Sequence, residues 1–152
     1  AEQGIAQRVI KVRTGIILSS NEGALSKMVV PVKYGVGSPI GSGKQYIPWI
    51  HMDDICGIYE FLLKNKTLQG AYNAAAPQPT TNKILMRSTA KVLGKPFFMP
   101  NVPSFVMKLV FGEMAIVLLE GSRISSDKII SDGYYFKFPE LKGALEDLLL
   151  DD

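Results

Sequence analysis

The sequence is poor in the residues on which most hydrolytic and metal motifs depend. It holds one cysteine, Cys56, and one histidine, His51. A single cysteine excludes an intrachain disulfide and points to a reducing compartment, the cytoplasm or the mitochondrial matrix. His51, Asp53 and Asp54 stand close together, but the spacing is loose and no second imidazole exists. A structural hydrogen bond and a helix cap account for them better than a metal, so no metal site is expected. No G-x-S-x-G elbow offers a nucleophile. Like charges never run five in a row, and the net charge is only +3, so nucleic-acid binding has no support. The longest apolar stretch, residues 105–121, is broken by Lys108 and Glu113. That is too short and too interrupted for a membrane span. The first residues show neither a secretory nor a transit pattern.

What remains is material for a core. Of 152 residues, 47% are hydrophobic and 20% charged, the balance of one globular domain. Residues 8–18 are rich in β-branched side chains and read as one buried parallel strand. Asn21 is expected to cap a short helix over 23–30, limited by Pro31. Residues 45–50 are extended because Pro48 disfavours helix before it. A helix starting at Asp53 or Asp54 carries Ile55, Ile58, Tyr59, Leu62 and Leu63 on one face. Residues 70–76 form a strand. Thr80 or Thr81 caps a helix that Gly94 ends. A short strand is expected over 97–99, helix over 103–121, a small helix capped by Ser126, a strand over 134–138, and a last helix led by Pro139. Mixed strands and helices without repeats give an α/β class.

The Gly-rich stretch 37–54, GSPIGSGKQYIPWIHMDD, invites a phosphate-loop reading and fails it. A P-loop through Gly43-Lys44 needs glycine at position 38, which is Ser38, and a hydroxyl at position 45, which is Gln45. The dinucleotide pattern G-x-G-x-x-G fails on spacing as well.

The run WIHMDD, with Gly41-Ser42-Gly43-Lys44-Gln45 before it, resembles a landmark of the extended short-chain dehydrogenase/reductases. VRTGIIL, GAYNAAAPQPTTN, GKPFFMPNVPSFVMKLVFGEMAIVLLEGSR and GYYFKFPELKGALEDLL are collinear with it. Together they resemble the "epimerase family protein" branch of that family, over nearly the whole chain. The resemblance implies the C-terminal part of a Rossmann-like parallel sheet with a small, mainly helical substrate lobe. Residues 1–20 and 45–75 belong to the sheet, and 21–44 and 76–152 to the lobe. The family's Gly-rich fingerprint and Tyr-x-x-x-Lys pair are not found in this sequence, so no catalytic residue is expected here, and the cofactor half is expected in a complementary N-terminal chain or segment.

By resemblance, the cofactor is NADP, touched by Thr14, Gly15 and Ile17. The substrate side implies Arg13, Met28, Tyr34, Gln45, Trp49 and His51, with Pro31 beside them. Core burial is the rival reading for Met28 and Trp49, an ion pair for Arg13, and a hydrogen bond between sheet and lobe for His51. Glu113 and Arg123 fall in late segments of the branch, with an ion-paired or solvated role as the default. The implied function is the substrate-binding half of an oxidoreductase or epimerase. The alternative is a non-catalytic accessory subunit of a larger assembly.

Overall fold

The computed structural model describes residues 8–20, 23–103 and 121–150. The expected helix over 103–121 and the cap at Asn21 lie outside them. The first expected strand divides into β1 (Ile10–Thr14) and β2 (Ile16–Leu18). The joint is Gly15, whose N–H bonds the Ala74 carbonyl at 2.9 Å while the next N–H, of Ile16, bonds the Pro48 carbonyl at 2.7 Å. The chain thus changes partners in one step. A side chain could not stand there: a Cβ on Gly15 would lie 2.7 Å from the Pro48 carbonyl oxygen.

β1 pairs in parallel with β4 (Gly70–Ala74), with Thr14 opposite Ala74. β2 pairs in parallel with β3 (Trp49–His51), with Ile17 opposite Ile50. Both pairings agree with the expected parallel α/β class. The expected double-sided burial of the first strand does not appear among the described residues. Lys11, Arg13 and Thr14 are exposed, and Ile10 and Val12 are half-buried. Only one face of β1 packs, against the apolar side of α2 (Met52–Lys64).

α1 (Ala24–Lys33) carries Pro31 inside its last turn rather than stopping before it. The missing proline N–H costs one internal bond, but close to the helix end, where few remain to lose. In α2, Ile55, Ile58 and Leu62 are buried as their spacing requires, but Tyr59 and Leu63 are 48% and 72% exposed. The apolar stripe is therefore narrower than the sequence suggests. α3 (Asn82–Val92) starts where Thr81 Oγ1 accepts from the Ile84 N–H at 3.4 Å, and Gly94 follows its end at φ 63°. Residues 97–99 form no strand. α4 (Asp127–Ser131) and α5 (Leu141–Leu150) complete the described elements. Ser126 makes no side-chain cap to α4; Ser125 Oγ accepts from the Asp127 N–H instead, at 3.1 Å.

Two apolar clusters organise these elements. One joins α1, α3 and α5 around Trp49, Leu25, Leu85 and Leu145. The other places α2 on the strands through Ile50, Ile58, Tyr72 and Ile129. β3 contributes to both, Trp49 to the first and Ile50 to the second. This follows from the alternation of side chains along a strand.

Candidate functional site

The His-Met-Asp-Asp run is a joint between these clusters. His51 is the N-cap of α2, its Nδ1 accepting from the Asp53 N–H at 3.1 Å. A nitrogen that accepts carries no proton, so this bond assigns the neutral ring's proton to Nε2. That nitrogen lies 3.1 Å from Asp147 Oδ2 on α5, off the line of a good hydrogen bond. The imidazole also lies against the Phe138 ring, with centroids 3.9 Å apart.

Asp54 does more than cap. Buried to 1% exposure, it accepts from the Lys137 N–H at 2.7 Å and the Phe138 N–H at 2.9 Å. The Tyr134 hydroxyl reaches its Oδ1 at 3.2 Å and its backbone carbonyl at 3.0 Å. Burial, then the nearby Asp54 charge, push the Tyr134 phenol well above its ordinary range. Asp53 pairs outside with Lys137 at 2.6 Å, and that bond holds its carboxyl below the usual carboxylate range. The expected strand over 134–138 is therefore an irregular segment. Two of its amides are satisfied by a carboxylate rather than by a neighbouring strand.

A shallow cleft is lined by residues 46–48, 76, 78–80 and 122–124. Its floor includes Thr80, whose Oγ1 accepts from Trp49 Nε1 at 3.0 Å and donates to the Gln78 carbonyl at 3.2 Å. Residues 76–80 lie just beyond the carboxyl end of β4, the side of a parallel sheet where ligands bind, while residues 46–48 lead into the amino end of β3. Arg123 lines the cleft, exposed and without an ionic partner among the described residues. Among the described residues no Asp or Glu lines it. The cleft has only about 10 Å³ of free volume, against the roughly 300–1,000 Å³ of ordinary ligand pockets, so the described residues by themselves enclose no ligand-sized pocket there. No group of three potential metal ligands occurs among them.

The expected site residues fall into three groups. Arg13, Thr14 and Gly15 stand at the carboxyl end of β1, Arg13 and Thr14 exposed, and Ile17 follows on β2. Gln45 and Trp49 flank the cleft: Gln45 Nε2 donates to the Ile40 carbonyl at 2.9 Å, and Trp49, 1% exposed, supports Thr80 from behind. Met28 is buried at 2%, Tyr34 is 80% exposed at the end of α1, and His51 is buried at 2%; none of the three lines the cleft. Sequence reasoning missed Tyr46, Gln78 and Thr80 as lining residues. The available signal was their place around the end of a parallel strand.

Comparison with known proteins identifies this arrangement. A family described as a domain of unknown function, DUF1731, matches residues 102–148. Mouse (Mus musculus) epimerase family protein SDR39U1 is 43% identical over 147 residues, covering 96% of this chain and 50% of that protein. Epimerase family protein SAR0825 of Staphylococcus aureus (strain MRSA252) is 38% identical over 145 residues, covering 95% and 48%. The crystal structure of human SDR39U1 (isoform 2) with NADPH superposes with a TM-score of 0.88 at 38% identity, covering 95% of this chain and 49% of that one. Over nearly its whole length the chain is similar to proteins named epimerase family protein. It spans about half the length of the curated relatives it matches, and corresponds to the C-terminal half of an extended short-chain dehydrogenase/reductase. In that epimerase family frame, β1 and β4 belong to the parallel sheet, and no described helix is long and apolar enough to cross a membrane.

Proposed function

We propose that the chain is the substrate-side half of an NADP-dependent oxidoreductase or epimerase. In this reading residues 1–20 and 45–75 extend the cofactor-binding sheet, and residues 21–44 and 76–152 form the substrate lobe. The observation that carries it is the match to a human relative whose crystal structure holds NADPH.

The residues present suit the nicotinamide end of such a cofactor. At the carboxyl end of β1 Arg13 and Thr14 are exposed, and Arg13 offers a cation there. When bound, NADP supplies hydride transfer. Thr14, Gly15 and Ile17 would abut the cofactor with their backbone. Arg13 and Arg123 would orient an anionic substrate group, and Gln45, Trp49 and Thr80 would hold the cleft wall in register. The dinucleotide fingerprint and the Tyr-Lys pair would come from the complementary half.

The test is thermal unfolding of the chain assembled with its complementary half, with and without NADPH. Binding to the folded state at a hundredfold excess over Kd stabilises by about 2.7 kcal/mol. A clear upward shift in Tm with NADPH, smaller with NADH, is expected. No shift with either at saturating concentration contradicts the reading.

One observation favours the accessory-subunit reading. β1 pairs along one edge only among the described residues, and beside it Ile10, Val12, Tyr59 and Leu63 line an open groove of about 270 Å³. An unpaired strand edge next to apolar surface is suited to receiving another polypeptide. Co-purification of a partner that carries no dinucleotide fingerprint would support this second reading over the first.

A further inference from the structure

Residues 61–112 contain no Asp or Glu, while Lys64, Lys66, Lys83, Arg87, Lys91, Lys95 and Lys108 fall within them. Three of these, Lys83, Arg87 and Lys91, recur every four residues on α3 and are all exposed. Four residues of helix rise about 6 Å, so the cations stand in file along one side. Leu85, Met86 and Ala90 bury the other side in the core.

The helix differs from its neighbours in this respect. The exposed side of α2 carries the Glu60–Lys64 ion pair, and that of α5 carries Lys142–Glu146 at 3.3 Å, both spaced i,i+4. Like charges at that spacing weaken a helix where opposite ones support it. Among the described residues no hydrogen bond or ion pair holds the side chains of Lys44, Lys83, Arg87 or Lys91. At the head of the file, Lys44, Lys83 and Arg87 line an open groove of about 210 Å³ that also contains Ile84, 48% exposed. The amides at the start of α3 are already taken: Asn82 N–H by the Gln45 carbonyl, Lys83 N–H by the Gly43 carbonyl, and Ile84 N–H by Thr81. Side-chain charge, rather than the helix end, is what the surface offers.

We propose that the outer face of α3, together with Lys44, docks an acidic protein segment. The fitting partner is a helix with carboxylates at i, i+4 and i+8 and one apolar side chain that seats on Ile84. The single-file cations match that carboxylate period, and Ile84, exposed among them, offers contact to one apolar side chain of the partner. Among the described residues no aromatic side chain lines the groove for base stacking, the usual contact with single-stranded nucleic acid.

The test is fluorescence anisotropy with a labelled helical peptide bearing Glu at i, i+4 and i+8 and one Leu, against a scrambled peptide of the same composition. The matched peptide should bind at least fivefold tighter than the scrambled one, and more weakly as salt rises. The K83E/R87E/K91E variant should lose tenfold or more. A control with the same charge change spread over exposed sites, K27E/K66E/K142E, should lose less than threefold. K83Q/R87Q/K91Q repeats the test if the reversal variant fails to fold. Equal binding of both peptides, equal losses in the dispersed control, or capture by phosphatidylserine vesicles or single-stranded DNA without peptide binding would overturn the proposal.

Discussion

Asp54→Asn should weaken the fold sharply although it changes no volume. The Asp54 carboxylate holds the Lys137 and Phe138 amides at 2.7 and 2.9 Å and the Tyr134 hydroxyl at 3.2 Å. An asparagine keeps one acceptor oxygen and turns its NH2 toward the other amide, donor against donor. A hydrogen bond to a charged group contributes roughly 1.5–3 kcal/mol, and an unsatisfied buried amide costs about 1–3 kcal/mol. Residues 137 and 138 are only partly buried, so water recovers some of this. The expected loss is about 2–4 kcal/mol for Asn, and rather more for Ala, which abandons both amides. Against a total stability of roughly 5–15 kcal/mol, that is a large share. The assay is urea unfolding at unchanged m-value, with amide exchange at Lys137 and Phe138 read in parallel. Removing the Asp54 charge should also bring the Tyr134 phenol titration to lower pH. A loss under about 0.5 kcal/mol, with exchange at both amides unchanged, would refute the reasoning.

Other outcomes follow from neighbouring contacts. Gly57→Ala improves helix propensity by about 1 kcal/mol, yet its Cβ would meet the Tyr134 hydroxyl at 2.6 Å, so a net loss of about 1–2 kcal/mol is expected from displacing that ring; a stabilised variant would contradict this. Thr80→Val leaves Trp49 Nε1 buried without its acceptor and should cost roughly 1–3 kcal/mol, with a shift in Trp49 emission, Trp49 being the sole tryptophan. Burial, then the bond to Asp132, push the Tyr72 phenol up to about 12. Its contribution to stability is complete below the unfolded value of about 10 and is lost as pH rises through about 12. Absorbance titration should show late-titrating tyrosines, one of which disappears in Tyr72→Phe; if all titrate together near pH 10, the buried hydroxyl contact is wrong.

The sequence carried the local signals well. Thr81 and Gly94 bracket α3 as their chemistry demands, and the leucines of α5 fall where the spacing puts them. Long-range features were harder to read. Nothing local says that Gly15 hands a strand from β4 to β3, since the reason is the Pro48 carbonyl far along the chain. The alternation in residues 134–138 looked like a strand because Tyr134, Phe136 and Phe138 all pack inward. Their amides are answered by Asp54, which no periodicity reveals. His51 as an N-cap was hidden by the two Asp beside it, which are the commoner capping type. At the candidate site, Gln45 and Trp49 could be placed near the cleft, whereas Tyr46, Gln78 and Thr80 line it only because the β1–β4 pairing ends where the β2–β3 pairing begins.

Native mass spectrometry of the protein as isolated, with and without NADPH, tests the central claim most directly. The account predicts that this polypeptide travels with the dinucleotide-binding half of the fold, and that one NADPH adds to the mass. A folded 16.7 kDa species that travels alone and takes up no NADPH would contradict it.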